Sequence, residues 1–182
     1  MGAVAPPIDG DEWLTCAPVA WDDLRGRVVV VVFWSFGCEA SLLRLREVAA
    51  VADQAAGPVT VLGVHSPRLP SESQPGPLRS VLAQYQIAVP VIHDPKLTSW
   101  HRYNPEGWPA TYVIDARGRV MGAYHGTGET EVLRDAIALA LGSVAPTPAD
   151  QPATSDQFPL ATPLALPDTD LAFPTAVAFN GS

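Results

Sequence analysis

The sequence predicts an α/β fold, a sheet flanked by helices, and three stretches carry the prediction. The first is Val28-Val29-Val30-Val31-Val32-Phe33-Trp34. A continuous β-branched run ending in aromatics reads as a strand buried on both faces. The second follows directly: Leu42, Leu43, Leu45, Val48, Ala49 and Ala52 recur at three- and four-residue steps, with Arg44, Arg46 and Glu47 between them. That spacing predicts an amphipathic helix with the charged residues outward. The third runs from Trp108 to Leu141 and reads as strand, hairpin and closing helix.

Between these anchors the elements follow in order. Residues 8–26 form an entry segment in which Trp13, Leu14, Val19 and Trp21 can pack on the sheet, and Asp22 to Gly26 reads as a turn or one helical turn ending at Gly26. Gly57-Pro58 breaks the first helix. Val59–Val64 is a second buried strand that ends at His65. Ser66–Pro77 reads as a loop with Pro67, Pro70, Pro75 and Pro77, and Leu78, Val81, Leu82 and Tyr85 then mark a helical face. Ile87–Ile92 is a short extended piece, and Thr98–Tyr103 one to two helical turns. Tyr112-Val113-Ile114 is a strand, Ala116–Arg119 the hairpin turn, and Val120–Tyr124 the return. Thr130–Leu141 is a helix with Val132, Leu133, Ala136, Ile137 and Ala140 inward, stopped by Gly142.

A chain of 182 residues has room for one domain and a tail. Its net charge of −8, with Lys96 the single lysine, argues against a nucleic-acid surface. No apolar run reaches membrane-spanning length. The N-terminus lacks a basic and an apolar signal region, so the expected setting is cytoplasmic. Cys16 and Cys38 do not make a disulfide scaffold. His65, His93, His101 and His125 show no paired metal-ligand spacing, so neither a metal nor another cofactor is expected.

Chemistry concentrates at Cys38, at the junction of the valine strand and the first helix. Unpaired backbone N–H groups at a helix start favour negative charge, and the thiolate is the reactive form of cysteine. Ser41 stands three residues on, where its hydroxyl could donate to that thiolate. Cys16 reads as a small buried hydrophobe, with a distant resolving thiol as the alternative.

Phe33-Trp34-Ser35-Phe36-Gly37-Cys38-Glu39-Ala40-Ser41 resembles the Phe-Trp-Thr-Tyr-x-Cys-x-x-Cys stretch of bacterial thioredoxin-like proteins, especially those whose thioredoxin-like domain precedes an NHL-repeat propeller. Val61–Pro67, Val89–Pro95 and Trp108-Pro109-Ala110-Thr111 are similar to the same relatives. The resemblance implies a thioredoxin fold with a central mixed sheet. It makes Cys38 the nucleophile and puts Ser41 in the place of the resolving cysteine. It makes Trp34, Trp108 and Pro109 the substrate-binding residues, with Pro109 cis and beside Cys38. Two further positions depart from the family: Val32 replaces a buried Asp, and Arg46 a Pro.

The implied function is a weak monothiol thiol–disulfide oxidoreductase acting on a thiol- or disulfide-containing protein or glutathione. A non-catalytic thioredoxin-fold binding module is one alternative. A thiol peroxidase is another, since Ser35-Phe36-Gly37-Cys38 is similar to the peroxiredoxin Thr/Ser-x-x-Cys, although Val31 stands where those proteins have Pro. By the same reading residues 1–142 are the thioredoxin-like domain and 143–165 a Pro/Ala-rich disordered linker. Residues 166–182 resemble the opening of an NHL-repeat strand, a segment that could meet a protein partner.

Overall fold

The valine strand is the centre of the molecule. In the computed structural model, which describes residues 2–143, β2 (Val28–Trp34) is buried along its whole length. It pairs in parallel with β3 (Val59–His65) on one side and antiparallel with β5 (Ala110–Ile114) on the other. Beyond β3 lie β4 (Val91–His93), parallel, and β1 (Glu12–Trp13), antiparallel. Beyond β5 lies β6 (Val120–His125). The result is a six-stranded mixed sheet in the order β1-β4-β3-β2-β5-β6, flanked by helices as expected.

Alternation along β2 feeds two cores, because successive side chains leave a strand on opposite faces. Val28, Val30, Val32 and Trp34 join Leu42, Leu45, Val48, Leu78, Leu82, Leu133 and Ile137. These come from α1 (Glu39–Asp53), α2 (Pro75–Gln84) and α4 (Thr130–Gly142). Val29, Val31 and Phe33 face the other way, toward Ile8, Leu24, Tyr103 and Tyr112. Tyr103 belongs to α3 (Thr98–Tyr103). Each fully buried Val or Phe contributes about 1.5–3 kcal/mol of transfer free energy, which is why β2 is the one element no other could replace.

Several expectations are corrected. Arg44, assigned to the water-facing side of α1, is buried, while Leu43 is exposed. The reason is pairing, since Arg44 finds hydrogen-bond acceptors on two other segments as well as on α1 itself. α2 starts at Pro75, inside the predicted loop. Proline is accepted in a first helical turn, where its missing N–H has no partner to lose. A short 3₁₀ turn at Pro70–Ser73 precedes it. The extended piece at 87–92 shortens to β4, and β1 is an edge strand with no alternation long enough to announce it. On α4, Val132 is exposed, and Gly142 is the last helical residue, followed by Ser143 in the right-handed region. The tail segments predicted for 143–165 and 166–182 lie outside the described residues beyond Ser143.

Candidate active site

β2 and β3 run in parallel and end together, with Trp34 opposite His65. β5 starts at that same end, with Ala110 opposite Phe33. The loop after β2 therefore emerges beside the residues that open β5. Cys38 lies in that loop as the N-cap of α1, with φ −120° and ψ 106°. Its N–H donates to the Ser35 carbonyl (3.1 Å), and its carbonyl accepts from the N–H groups of Ser41 (2.9 Å) and Leu42 (3.3 Å). The thiol is half-buried and unpaired, and its side chain makes no capping hydrogen bond. It stands at the turn where a 15-residue helix leaves its first N–H groups without intrahelical partners.

The Trp108–Pro109 peptide bond is cis. Pro109 is buried and Trp108 half-buried. The Trp108 indole stacks on Trp100, with centroids 3.8 Å apart and planes 16° apart. Its Nε1–H donates to the Ser66 carbonyl (2.8 Å), and Ser66 N–H donates to the Trp34 carbonyl (2.9 Å). One hydrogen-bonded path thus ties the end of β2, the end of β3 and the segment opening β5. The Arg68 guanidinium lies 5.8 Å from the Trp108 ring centroid.

Two predicted site residues are placed differently from their assigned roles. Trp34 is fully buried, packed edge-on to His65 at 5.0 Å. It is a floor beneath the loop and has no surface to offer a substrate. Ser41 is also fully buried, and its Oγ has no hydrogen-bond partner. The expected hydroxyl bond to Cys38 is absent because Ser41 faces the core from the first turn of α1.

The structure does not bring Cys16 beside Cys38, and both thiols are free. Thr15 Oγ1 donates to Val89 O and accepts from Val91 N, both at 2.8 Å. Cys16 therefore sits by the start of β4, on the outer edge of the sheet, whereas Cys38 sits past the finish of β2. Burial raises the Cys16 thiol pKa, opposed by a hydrogen bond with Thr15.

Sequence reading missed four polar groups around this end of the sheet. Glu72 is 2% exposed. Its Oε2 accepts from Ser35 Oγ (2.5 Å) and from Arg68 N–H (3.1 Å). Its Oε1 lies over Gly37, where a Cβ would overlap it. His65 and His93, both buried, meet Nδ1 to Nδ1 at 3.0 Å. His93 Nε2 is 3.1 Å from the Ser73 carbonyl. A carbonyl only accepts, so His93 Nε2 carries a proton. With both rings neutral, His65 Nδ1 then donates to His93 Nδ1, and His65 Nε2 is a bare acceptor. Desolvation, and secondarily the nearby His93, lower the His65 pKa to about 3. The ring also stacks on Phe36, centroids 5.3 Å apart. The fourth is Arg44. It donates from Nε to Thr111 Oγ1 (3.1 Å) and from Nη1 to Glu47 Oε2 (3.0 Å) and Gly128 O (2.8 Å). It pins α1 to β5, two residues past Pro109. Among the described residues no cluster of His, Cys, Asp or Glu could hold a metal ion.

This fold, with a cysteine capping α1 and a cis proline opening β5, defines a thioredoxin-like domain. The model of the AhpC/TSA family matches residues 1–123, and the chain belongs to that family. It is similar to the protein Suppressor of Quenching 1, chloroplastic, of Arabidopsis thaliana, with 30% identity over 132 residues, 71% of this chain and 12% of that protein. NHL repeat-containing protein 2 of Gallus gallus is 30% identical over 126 residues, 67% of this chain and 17% of that protein. The thiol-disulfide oxidoreductase YkuV of Bacillus subtilis is 26% identical over 117 residues, 63% of this chain and 78% of that protein. A crystal structure of a thioredoxin-like superfamily protein superposes with a TM-score of 0.71 at 27% identity, over 79% of this chain and 99% of the other. The chain thus spans a small part of the longer curated relatives it matches.

Proposed function

We propose that this chain is a monothiol thiol–disulfide exchange protein with Cys38 as its nucleophile. The observation that carries the reading is the half-buried Cys38 thiol at the N-cap of α1, next to the strand end where Trp108 and Pro109 lie. The Cys38 thiolate attacks one sulfur of a disulfide, a new S–S bond forms, and the other sulfur leaves as a thiolate. Ser41 has no sulfur with which to displace the adduct. An outside thiol, from glutathione or a protein, releases the product. The half-buried Trp108 and the Arg68 guanidinium above it form the surface an extended substrate would meet. The NHL-type affiliation of this domain belongs to the same proposal and is supported by the similarity to NHL repeat-containing protein 2.

Intact mass after incubation with glutathione disulfide tests the reading. One glutathione adduct is expected on the unmodified chain and on Cys16→Ser, and none on Cys38→Ser. Absence of the adduct favours a binding module. Ser41→Cys supplies a resolving thiol and raises insulin reduction by dithiothreitol severalfold.

The family match favours a second reading, a thiol peroxidase. Against it, Ser35, the counterpart of the peroxiredoxin hydroxyl, donates its hydrogen bond to the Glu72 carboxylate. Cys38-dependent consumption of hydrogen peroxide at rates above those of free cysteine would establish the peroxidase in place of the exchange protein.

A further inference from the structure

Glu72 is a buried carboxylate that nothing in the exchange chemistry above uses. Its burial needs a reason, because a carboxylate taken out of water is costly unless its charge is met by donors or serves a reaction. The donors it has are few. Oε2 takes the Ser35 hydroxyl and the Arg68 N–H, and among the described residues no cation forms an ion pair with it. Oε1 is directed at Gly37, the residue before Cys38. A side chain there would displace a carboxylate whose partner oxygen is held twice. Gly37 is bonded directly to Cys38, and successive Cα atoms stand about 3.8 Å apart, so the carboxylate lies against the residue next to the one that carries the thiol.

Resting on the exchange reading, we propose that Glu72 is the proton partner of Cys38. The carboxylate takes the proton from the Cys38 thiol as the thiolate forms. The thiolate then attacks the disulfide, its electron pair makes the new S–S bond, and the old S–S bond breaks. The departing thiolate takes the proton from the Glu72 carboxylic acid. Cys38 is oxidised to a mixed disulfide, one substrate sulfur is reduced to a thiol, and the carboxylate is regenerated. Val32 is buried in apolar surroundings and has no acidic group to offer from β2. Glu72 reaches the same loop from the connection between β3 and α2.

The other titratable and charged groups on the elements that meet at this end of the sheet are Arg68 on its own connection, Cys38 and Glu39 on the loop and helix start, His65 on β3 and His93 on β4. Burial and the neighbouring His93 lower the His65 pKa to about 3, so it adds no charge step in the working range.

The experiment compares the unmodified chain with Glu72→Gln, using two reagents on Cys38 in a Cys16→Ser background. Iodoacetamide releases iodide, which needs no proton, whereas glutathione disulfide releases a thiolate, which does. Iodoacetamide rates against pH are expected to show two linked steps in the unmodified chain and one in Glu72→Gln. Removing the neighbouring negative charge makes Glu72→Gln react about tenfold faster at neutral pH. The exchange rate divided by the alkylation rate is expected to fall about tenfold. Identical pH profiles, or an unchanged ratio, overturn the proposal. A purely structural role would scale all rates together without altering profile or ratio. If Glu72→Gln does not fold, Ser35→Ala keeps the carboxylate and removes one donor. It should move the lower step to higher pH, and an unmoved step overturns the proposal. If no variant forms a glutathione adduct, the exchange reading fails by itself, and the alkylation profiles still decide whether Glu72 and Cys38 share a proton.

Discussion

Two polar clusters flank the first turns of α1, and they are built on opposite principles. The Arg44 cluster is satisfied: its guanidinium finds Thr111, Glu47 and the Gly128 carbonyl, and Glu47 in turn accepts from the Thr130 hydroxyl. The cluster under Cys38 is not. Trp34 Nε1, Ser41 Oγ and His65 Nε2 are buried without hydrogen-bond partners. A satisfied buried network rigidifies, whereas unpartnered polar groups cost free energy and persist mainly where they serve something else. The contrast assigns the first cluster to holding α1 against β5 and the second to the reactive end of the sheet.

The largest effect should come from the satisfied cluster. Removing one partner of a buried ion pair leaves its mates without a counterpart, at a cost of about 3–5 kcal/mol. Glu47 is 21% exposed, so water relieves part of this, and about 3 kcal/mol is expected for Arg44→Met. The urea midpoint should drop accordingly, with no change of slope. A loss under about 1 kcal/mol would remove the distinction between the two clusters.

The second effect is the pH dependence carried by His65. Its folded pKa of about 3 lies below the ordinary 6.5 of the unfolded chain. Above pH 6.5 neither state binds the proton and stability is unaffected. Below it the unfolded chain binds a proton that the native state refuses, so stability falls as pH falls, by up to about 1.4 kcal/mol per pH unit, until about pH 3. Asp94 opposes this over the lower part of the range. Burial raises its pKa against the hydrogen bonds it accepts from the N–H groups of Trp100 and Thr98, so the native state gains that proton first. Stability measured from pH 7 to 4 should decline, and His65→Gln should flatten the decline by about one proton. An equal decline in both would place the acid-labile group elsewhere.

How legible each cluster was in the sequence follows from the same contrast. The valine run, the helix start at Cys38 and the Trp108-Pro109 opening of β5 were readable, because strand period, helix period and proline placement are local. Arg44 misled, since a 3.6-residue period cannot say that a charged residue will find acceptors 67 and 84 residues away. His65 and His93 are separated by 28 residues and meet only because β3 and β4 are paired in that register. Glu72 lies in a proline-rich stretch with no periodicity, and only the fold brings it onto Gly37. The signal available for it was Gly37 itself, a glycine directly before the reactive cysteine.

The smallest effect separates the clusters most cleanly. Ser41 is fully buried and its hydroxyl has no partner, so Ser41→Ala removes an uncompensated polar atom. Losing an unmade hydrogen bond costs nothing, and relieving the desolvation is worth up to about 1 kcal/mol. Alanine is also the better helix former in the first turn of α1, by less than ~0.7 kcal/mol. The variant should therefore be as stable as the unmodified chain or slightly more so, read as an unchanged or raised thermal midpoint. Cys38 alkylation should not move, because the hydroxyl makes no bond to that sulfur. Thr111→Val in the satisfied cluster is the matched control: it removes a hydroxyl that Arg44 Nε uses, and should destabilise by about 1–2 kcal/mol. If Ser41→Ala instead destabilised the chain and slowed Cys38 alkylation, the Ser41 hydroxyl would be engaged with the thiol in solution. The cluster under Cys38 would then be a satisfied network like its neighbour.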